Sequence, residues 1–223
     1  MVELIPDLRA DTVRANLAAV RDEIATAAGG AGRDPGEVEL LAATKYVSVD
    51  DLPTLAAAGI RLVGENRAHD LQAKVAAHGE LFDWDFIGRL QSRKVKAIVP
   101  YVRLIHSVAS DSVLRELARH RADVHPGLEI LIEVNVAGEP GKDGVAPEEL
   151  DAFIERAPVP VTGLMTMPPY ARDPEKSRRW FAALRALADE RGLARLSMGT
   201  SQDYRVAVAE GATIVRIGTR LYD

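Results

Sequence analysis

The sequence predicts a single (β/α)8 barrel. Three observations carry that reading. Short apolar runs recur along the chain, each is followed by a segment with helical spacing, and eight such alternations fit into 223 residues. Strands separated by helices pair in parallel through right-handed crossovers, and a barrel of this length lies near the short end of its size range. A doubly wound open sheet is the structural alternative. No composition shift, linker, repeat or low-complexity stretch divides the chain, so residues 1–223 are expected to form one domain.

The elements follow in order. Residues 7–28 read as a helix, with Leu17, Val20 and Ile24 on one face, ended by Gly29-Gly30-Ala31-Gly32. Val38–Thr44 is the first strand, apolar on both faces as a parallel strand is. Ser48 offers an N-cap to a helix carrying Leu52 and Leu55, stopped by Gly59. Ile60–Val63 is the second strand, running into Gly64-Glu65-Asn66; residues 67–78 are its helix. Trp84–Ile87 is the third strand, with a basic helix at 91–99. Val102–His106 is the fourth, and Ser110 caps the helix after it. Leu128–Val136 makes a long fifth strand. Pro147-Glu148-Glu149 opens a helix with the expected first-turn chemistry. Val159–Leu164, Leu193–Met198 and Thr213–Ile217 complete the eight strands, with helices at 174–190 and 202–210. The opening helix serves the last position around the ring.

Composition narrows the function. Apolar residues make up 47% and charged residues 27% of the chain, as in a soluble globular protein. A net charge of −5 gives no footprint for nucleic acid or anionic membrane. Without Cys there is neither a disulfide nor a thiolate zinc site. No apolar run reaches the ~20 residues of a membrane span, and the N-terminus lacks a leader pattern. A cytoplasmic protein is expected.

Barrel chemistry sits at the C-terminal ends of the strands. The first strand ends in Leu40-Leu41-Ala42-Ala43-Thr44-Lys45, and Lys is scarce here, six residues against 22 Arg. An amine held partly out of water sheds its proton more readily and attacks carbonyls. Lys45 is therefore a candidate Schiff-base lysine; an ion pair with a carboxylate such as Glu65 is the alternative. The seventh strand leads into Gly199-Thr200-Ser201 and a helix at Gln202, the eighth into Gly218-Thr219. Glycine backbone, hydroxyls and free N–H groups at this position form the usual phosphate site of the fold. Arg216, among Ile214, Val215 and Ile217, needs an acceptor: either an ion pair inside the barrel or a ligand. Asn66 is a turn residue or a ligand contact. His69, His78, His106, His120 and His125 show no metal-ligand spacing; His106 sits at a strand end, and the other four are read as solvated. Gly138–Lys142 is read as a flexible loop, and Arg93, Lys94 and Lys96 as a solvated face. A phosphate site, a facing lysine and a buried arginine together suit pyridoxal 5′-phosphate.

These residues resemble a known family. Leu41–Lys45, Gly64-Glu65-Asn66, Phe86–Gln91, Asn135–Glu139 with Lys142 and Gly144, Gly163–Met167, Leu196–Gly199 with Ser201 and Asp203, and Val215–Thr219 match, in order, the pyridoxal-phosphate homeostasis proteins. That family shares the alanine racemase N-terminal barrel. The resemblance implies a cofactor carried on Lys45 as an internal aldimine. It implies a phosphate bound by Ser201, Gly218 and Thr219, Arg216 facing the pyridine nitrogen, and Asn66 near the ring. It also implies a buffer or carrier of the cofactor without efficient catalysis. Pyridoxal-phosphate-dependent apoenzymes are the expected recipients, and a monomer is expected because a barrel of this size can be stable alone.

The sequence departs from the family pattern at Asp85, Arg93, Thr200 and Tyr204-Arg205, and at its end, Tyr222-Asp223. These changes touch fine geometry and the phosphate-side rim, and leave Lys45 and the glycine loops intact. A racemase of this type needs a second domain for its opposing base, for which 223 residues leave no room. A single-domain racemase-like enzyme and a cofactor-free Schiff-base aldolase are the competing functions.

Overall fold

The computed structural model describes residues 4–223; the first three residues of the stretch read for a leader lie outside them. Eight strands, β1 (Glu39–Ala43), β2 (Leu62–Glu65), β3 (Asp83–Phe86), β4 (Leu104–Val108), β5 (Glu129–Glu133), β6 (Val161–Met165), β7 (Arg195–Thr200) and β8 (Ile214–Ile217), pair in chain order into a closed barrel. Every pairing is parallel, and β8 closes on β1 with Arg216 opposite Leu41. The fold is a (β/α)8 barrel, and the open-sheet alternative is excluded.

The helices are α1 (Ala10–Gly30), α2 (Leu52–Ala57), α3 (Ala68–His78), α4 (Asp111–Arg119), α5 (Leu150–Glu155), α6 (Arg178–Asp189) and α7 (Tyr204–Ala209). Helix α1 packs against α7, α2 and the short 3-10 turn after β8, so it fills the last place in the ring as expected. Three of the helices are only six residues long, far below the length at which a helix holds itself in water. Burial holds them: Leu52 and Leu55 in α2, Leu150 and Phe153 in α5, and four of the six residues of α7 are buried.

Several boundaries differ from the sequence reading, each for a physical reason. Helix α1 continues through Gly29 and Gly30; the stop is Gly32, whose φ of 69° favours glycine. Strands β2 and β7 lie about two residues further on than their apolar runs. Backbone pairing carries them into polar sequence, with Gly64 and Glu65 opposite Asp85 and Phe86. β5 ends at Glu133, and the expected long strand survives only as a single bridge between Val134 and Val145. The basic helix after β3 is a 3-10 segment, Ser92–Ala97, with Val95 its one buried residue. One apolar side chain does not define the stripe that fixes an α-helix. Helix α7 starts at Tyr204 rather than Gln202.

The apolar core has two parts. A large shell lies between the outer face of the barrel and the helices, where Val63, Phe86, Ile105, Val215 and Ile217 meet Ile24, Leu55, Leu71, Leu117 and Phe181. A small cluster of Leu41, Leu104, Leu131, Met165 and Ile214 fills the barrel interior. Side chains alternate faces along a strand. Because Val215 and Ile217 face the shell and Ile214 the interior, Arg216 points inward, as do Asp85, His106 and Ser197 by the same parity.

Gly163 on β6 shows how close neighbouring backbones come: a Cβ there would lie 1.9 Å from the Arg195 carbonyl oxygen on β7. Gly163→Ala is expected to lower unfolding stability by about 1–3 kcal/mol, read as a reduced midpoint at unchanged slope in urea denaturation.

Candidate functional site

The site begins where β1 runs out. Thr44 is buried, and its Oγ1 donates to Glu65 Oε1 at 2.5 Å. Lys74 reaches in from α3 and donates to the same oxygen at 2.5 Å and to the Thr44 carbonyl at 2.7 Å. Glu65 has no exposed surface and Lys74 only 4%. Glu65 Oε2 takes the Asn66 N–H at 3.2 Å. The carboxylate that sequence reading offered to Lys45 is thus satisfied by another lysine. Half-buried Lys45 forms no ion pair among the described residues; its Nζ lies 4.6 Å above the Tyr46 ring. The N-terminal segment ties down the next residue, since the Ile5 N–H donates to the Tyr46 carbonyl at 2.9 Å.

Across the rim stand the loops after β7 and β8. Gly199 has φ of 89°, and a Cβ there would lie 2.5 Å from the Ala207 Cβ, so glycine is required for α7 to pack. The Asp203 carboxylate accepts from Thr200 N–H at 2.8 Å and from Thr200 Oγ1 at 3.2 Å, which bends the loop before the helix can start. Ser201 Oγ accepts from the Gly218 N–H at 3.0 Å and ties the two loops together. A Cβ on Gly218 would meet only the Ala43 Cβ, at 3.9 Å, so its backbone fronts open space. Exposed Thr219 follows.

Arg216 forms the floor and is 6% exposed. Its Nη1 donates to Ser197 Oγ, and its Nη2 to the Thr166 carbonyl at 3.1 Å and to Met167 Sδ at 2.8 Å. Among the described residues no carboxylate touches it, so the alternative of an ion pair inside the barrel is set aside. Burial lowers its pKa to about 10, against the pull of Glu133 and Asp203; it is a cation at neutral pH. His106 is not at a strand end but within β4, with no exposed surface. Burial pushes its pKa down despite Asp85 beside it.

Lys45, Asn66, Ser201, Arg216, Gly218 and Thr219 line one cavity of about 270 Å³, with Ala43, Tyr46, Ile87, Met167, Thr200 and Gln202. All six candidates from the sequence meet there. The Tyr46, Ile87 and Met167 walls carried no polar signal in sequence, although each adjoins a polar strand end. A larger cleft of about 480 Å³ opens at the N-terminal end of the barrel, lined by Leu17, Arg21, Glu39, Arg61 and Arg103 among others. Size does not decide between them, because chemistry in this fold sits at the C-terminal face.

The donor set fits pyridoxal phosphate. It offers a free amine for an aldehyde, the Ser201 and Thr219 hydroxyls beside a glycine with open space in front of it for a phosphate, and a guanidinium for a ring nitrogen. Asn66 Oδ1 is buried without a hydrogen-bond partner, an acceptor left open inside the site. Fold and cavity together define a barrel protein with an amine and an anion cradle facing each other across its C-terminal rim. Comparison with known proteins narrows this class. The family described as "Alanine racemase, N-terminal domain" matches residues 13–223. The chain is 41% identical to the pyridoxal phosphate homeostasis protein of Aquifex aeolicus, over 92% of this chain and 95% of that one. A crystal structure of an unknown protein from Bifidobacterium adolescentis superposes with a TM-score of 0.88 at 31% identity, covering 99% and 98% of the two chains. PipY of Synechococcus elongatus, solved with PLP bound, superposes with a TM-score of 0.79 at 30% identity, covering 95% of this chain and all of that one. The chain belongs to the pyridoxal phosphate homeostasis proteins, within the alanine racemase N-terminal family.

Three variants check the electrostatics. Lys74→Met strands a buried carboxylate and is expected to cost about 3–5 kcal/mol, most of it recovered in Lys74→Met/Glu65→Leu; urea denaturation measures both. Glu133, at the end of β5, has its pKa raised by burial and by Asp143. A carboxyl raised in the folded state lends stability at low pH and loses it as pH rises through the folded value. Glu133→Gln is therefore expected to be more stable than the parent at pH 7, with the gain vanishing near pH 4, in thermal melts across pH.

Proposed function

We propose that this chain, acting as one barrel domain, binds pyridoxal 5′-phosphate in the C-terminal cavity and keeps the cofactor available rather than turning substrate over. Lys45 Nζ is the covalent attachment point. Ser201, Gly218 and Thr219 hold the phosphate, Arg216 faces the pyridine nitrogen, and Asn66 lies beside the ring. When bound, the cofactor supplies an electrophilic aldehyde and a ring able to accept electron density.

The observation that carries this reading is convergence. Residues from the ends of β1, β2, β7 and β8, chosen for four different chemical reasons, line a single cavity. Glu65 is already neutralised by Lys74, which leaves Lys45 without a carboxylate partner among the described residues. Arg216, cationic at neutral pH, opposes a second positive charge at the ring nitrogen. The electron sink that fast amino-acid chemistry requires is thereby weakened. The relative from Aquifex aeolicus, named for pyridoxal phosphate homeostasis, and PipY with its bound PLP support the same reading.

The setting we propose is cytoplasmic: a monomer that hands its cofactor to pyridoxal-phosphate-dependent apoenzymes. No helix among the described residues is long and apolar enough to cross a membrane.

The purified protein, incubated with pyridoxal phosphate, is expected to show a visible absorption band that borohydride reduction abolishes. Lys45→Ala removes the band. Arg216→Glu keeps covalent attachment but changes the spectrum. A colourless parent that takes up no pyridoxal phosphate overturns the reading. Sustained turnover of amino acids, lost in Lys45→Ala, replaces it with a racemase-like enzyme.

A further inference from the structure

Behind Arg216 runs a line of hydrogen-bonded side chains that crosses the barrel interior. Arg216 Nη1 meets Ser197 Oγ. Ser197 Oγ lies 2.8 Å from His106 Nδ1. His106 Nε2 lies 3.0 Å from Asp85 Oδ2. On the far side Arg103 Nε donates to Asp85 Oδ1 at 3.0 Å, and its Nη2 to Glu39 Oε2 at 2.6 Å. Asp85, His106 and Ser197 have no exposed surface.

With Asp85 ionised and His106 neutral, the donors in this line have one consistent assignment. An ionised carboxylate only accepts, so His106 Nε2 carries the proton shared with Asp85. Neutral His106 then has a lone pair at Nδ1, which takes the Ser197 hydroxyl proton. Ser197 Oγ is left with its own lone pairs free for the Arg216 N–H. Burial, which pushes the His106 pKa down, favours this neutral form. Each group thus orients the next, and the line ends on a guanidinium in the cavity wall.

We propose that Ser197, His106 and Asp85 are positioning residues: through Ser197 they fix the Arg216 guanidinium at the cavity floor and so set the electronic state of the ring held against it. The proposal rests on the pyridoxal-phosphate reading above. Among the described residues Arg216 has Ser197 as its only side-chain oxygen partner; its other contacts are a backbone carbonyl and a thioether. Removing the hydroxyl leaves an Nη1 donor buried beside an unengaged imidazole, and the guanidinium is free to swing. Asp85 acts one step further back, by fixing the imidazole tautomer. The ion pair with Arg103 holds the Asp85 carboxylate in place from the N-terminal end of the barrel.

The test compares the parent, Ser197→Ala, Ser197→Thr and Asp85→Asn, each loaded with pyridoxal phosphate. Three quantities are read: the absorption and fluorescence spectrum, the dissociation constant for pyridoxal phosphate, and the thermal midpoint. Ser197→Ala is expected to shift the absorption maximum and weaken binding about tenfold, the scale of one hydrogen bond to a charged group. Ser197→Thr, which keeps the hydroxyl, restores the parent spectrum. Asp85→Asn shifts the spectrum in the same direction as Ser197→Ala, by less. If Ser197→Ala and Asp85→Asn lower the midpoint while spectrum and affinity stay at parent values, the line is structural only and the proposal falls. Should Asp85→Asn not fold, the Ser197 pair decides alone, since it differs by one hydroxyl. A parent that does not bind pyridoxal phosphate defeats the underlying reading instead, and that outcome is visible before any variant is made.

Discussion

Glu65 is a carboxylate with no exposed surface, sitting where β2 ends beside the end of β1. A charge in that place has to be neutralised from within. Lys74 does so, and in doing so joins α3 to the Thr44 carbonyl at the last turn of backbone before Lys45. Two consequences follow from one ion pair. The peptide that carries Lys45 is held from behind by a buried ammonium and by the Thr44 hydroxyl bond to Glu65. The carboxylate nearest to Lys45 in sequence-pattern terms is already used. From the other side the Tyr222 hydroxyl donates to the Ala43 carbonyl at 3.1 Å; burial pushes that phenol's pKa up. Lys45 thus extends from a backbone pinned on both sides, while its own amine stays without an ion pair among the described residues. Placing a reactive group on a rigid support is the arrangement a covalent binding site needs.

The barrel separates stability from chemistry by side-chain parity. Outward positions of the strands feed the large apolar shell, where the short helices get their stability. Inward positions are divided along the barrel axis. A small apolar cluster fills part of the interior, and a connected line of polar groups crosses beside it from the cavity floor to the N-terminal end. Such interior polar groups are tolerable only when every member has a partner. Arg216, Ser197, His106, Asp85 and Arg103 meet that condition as one connected set. Asn66 Oδ1 does not, and it lies at the cavity. His125 Nδ1, away from the cavity, is the other buried side-chain polar atom without a partner among the described residues.

Much of the fold was legible because strand–helix alternation is written in local hydrophobic spacing. Lys45, Gly199, Ser201, Gly218 and Thr219 were legible because each stands just past an apolar run, where a barrel puts its chemistry. Lys74 was not. On a helix read as 67–78 it looks like any solvated lysine, and its burial depends on the distance from α3 to the ends of β1 and β2. His106 was read one layer too high, because the fourth strand was taken to stop there; β4 continues to Val108. Asp85, noted only as a departure from the family pattern, is a fully paired interior carboxylate. The sequence did hold the signal for these residues. Ser197 between Leu196 and Met198, and Asp85 between Trp84 and Phe86, alternate with outward apolar residues. Polar residues at inward positions of adjacent strands are expected to find each other once the register is known. The register itself is long-range, set by pairing across the sheet, and no local pattern encodes it.

Arg216 joins these threads. A guanidinium in an apolar strand is costly to bury, and here no carboxylate of the described residues touches it. Burial brings its pKa only to about 10, so it keeps its charge at pH 7. In the reading proposed above, a permanent cation beside the pyridine nitrogen would donate to that nitrogen and oppose its protonation. A carboxylate in the same position would do the reverse, stabilising a pyridinium and with it the withdrawal of electrons from the reacting carbon. On that reading the residue beside the ring also limits what the ring can do. Held by Ser197 on one side and by the Thr166 carbonyl on the other, the guanidinium cannot readily turn away and relieve that limit. On the proposed reading, that restraint would favour holding the cofactor over chemistry performed with it.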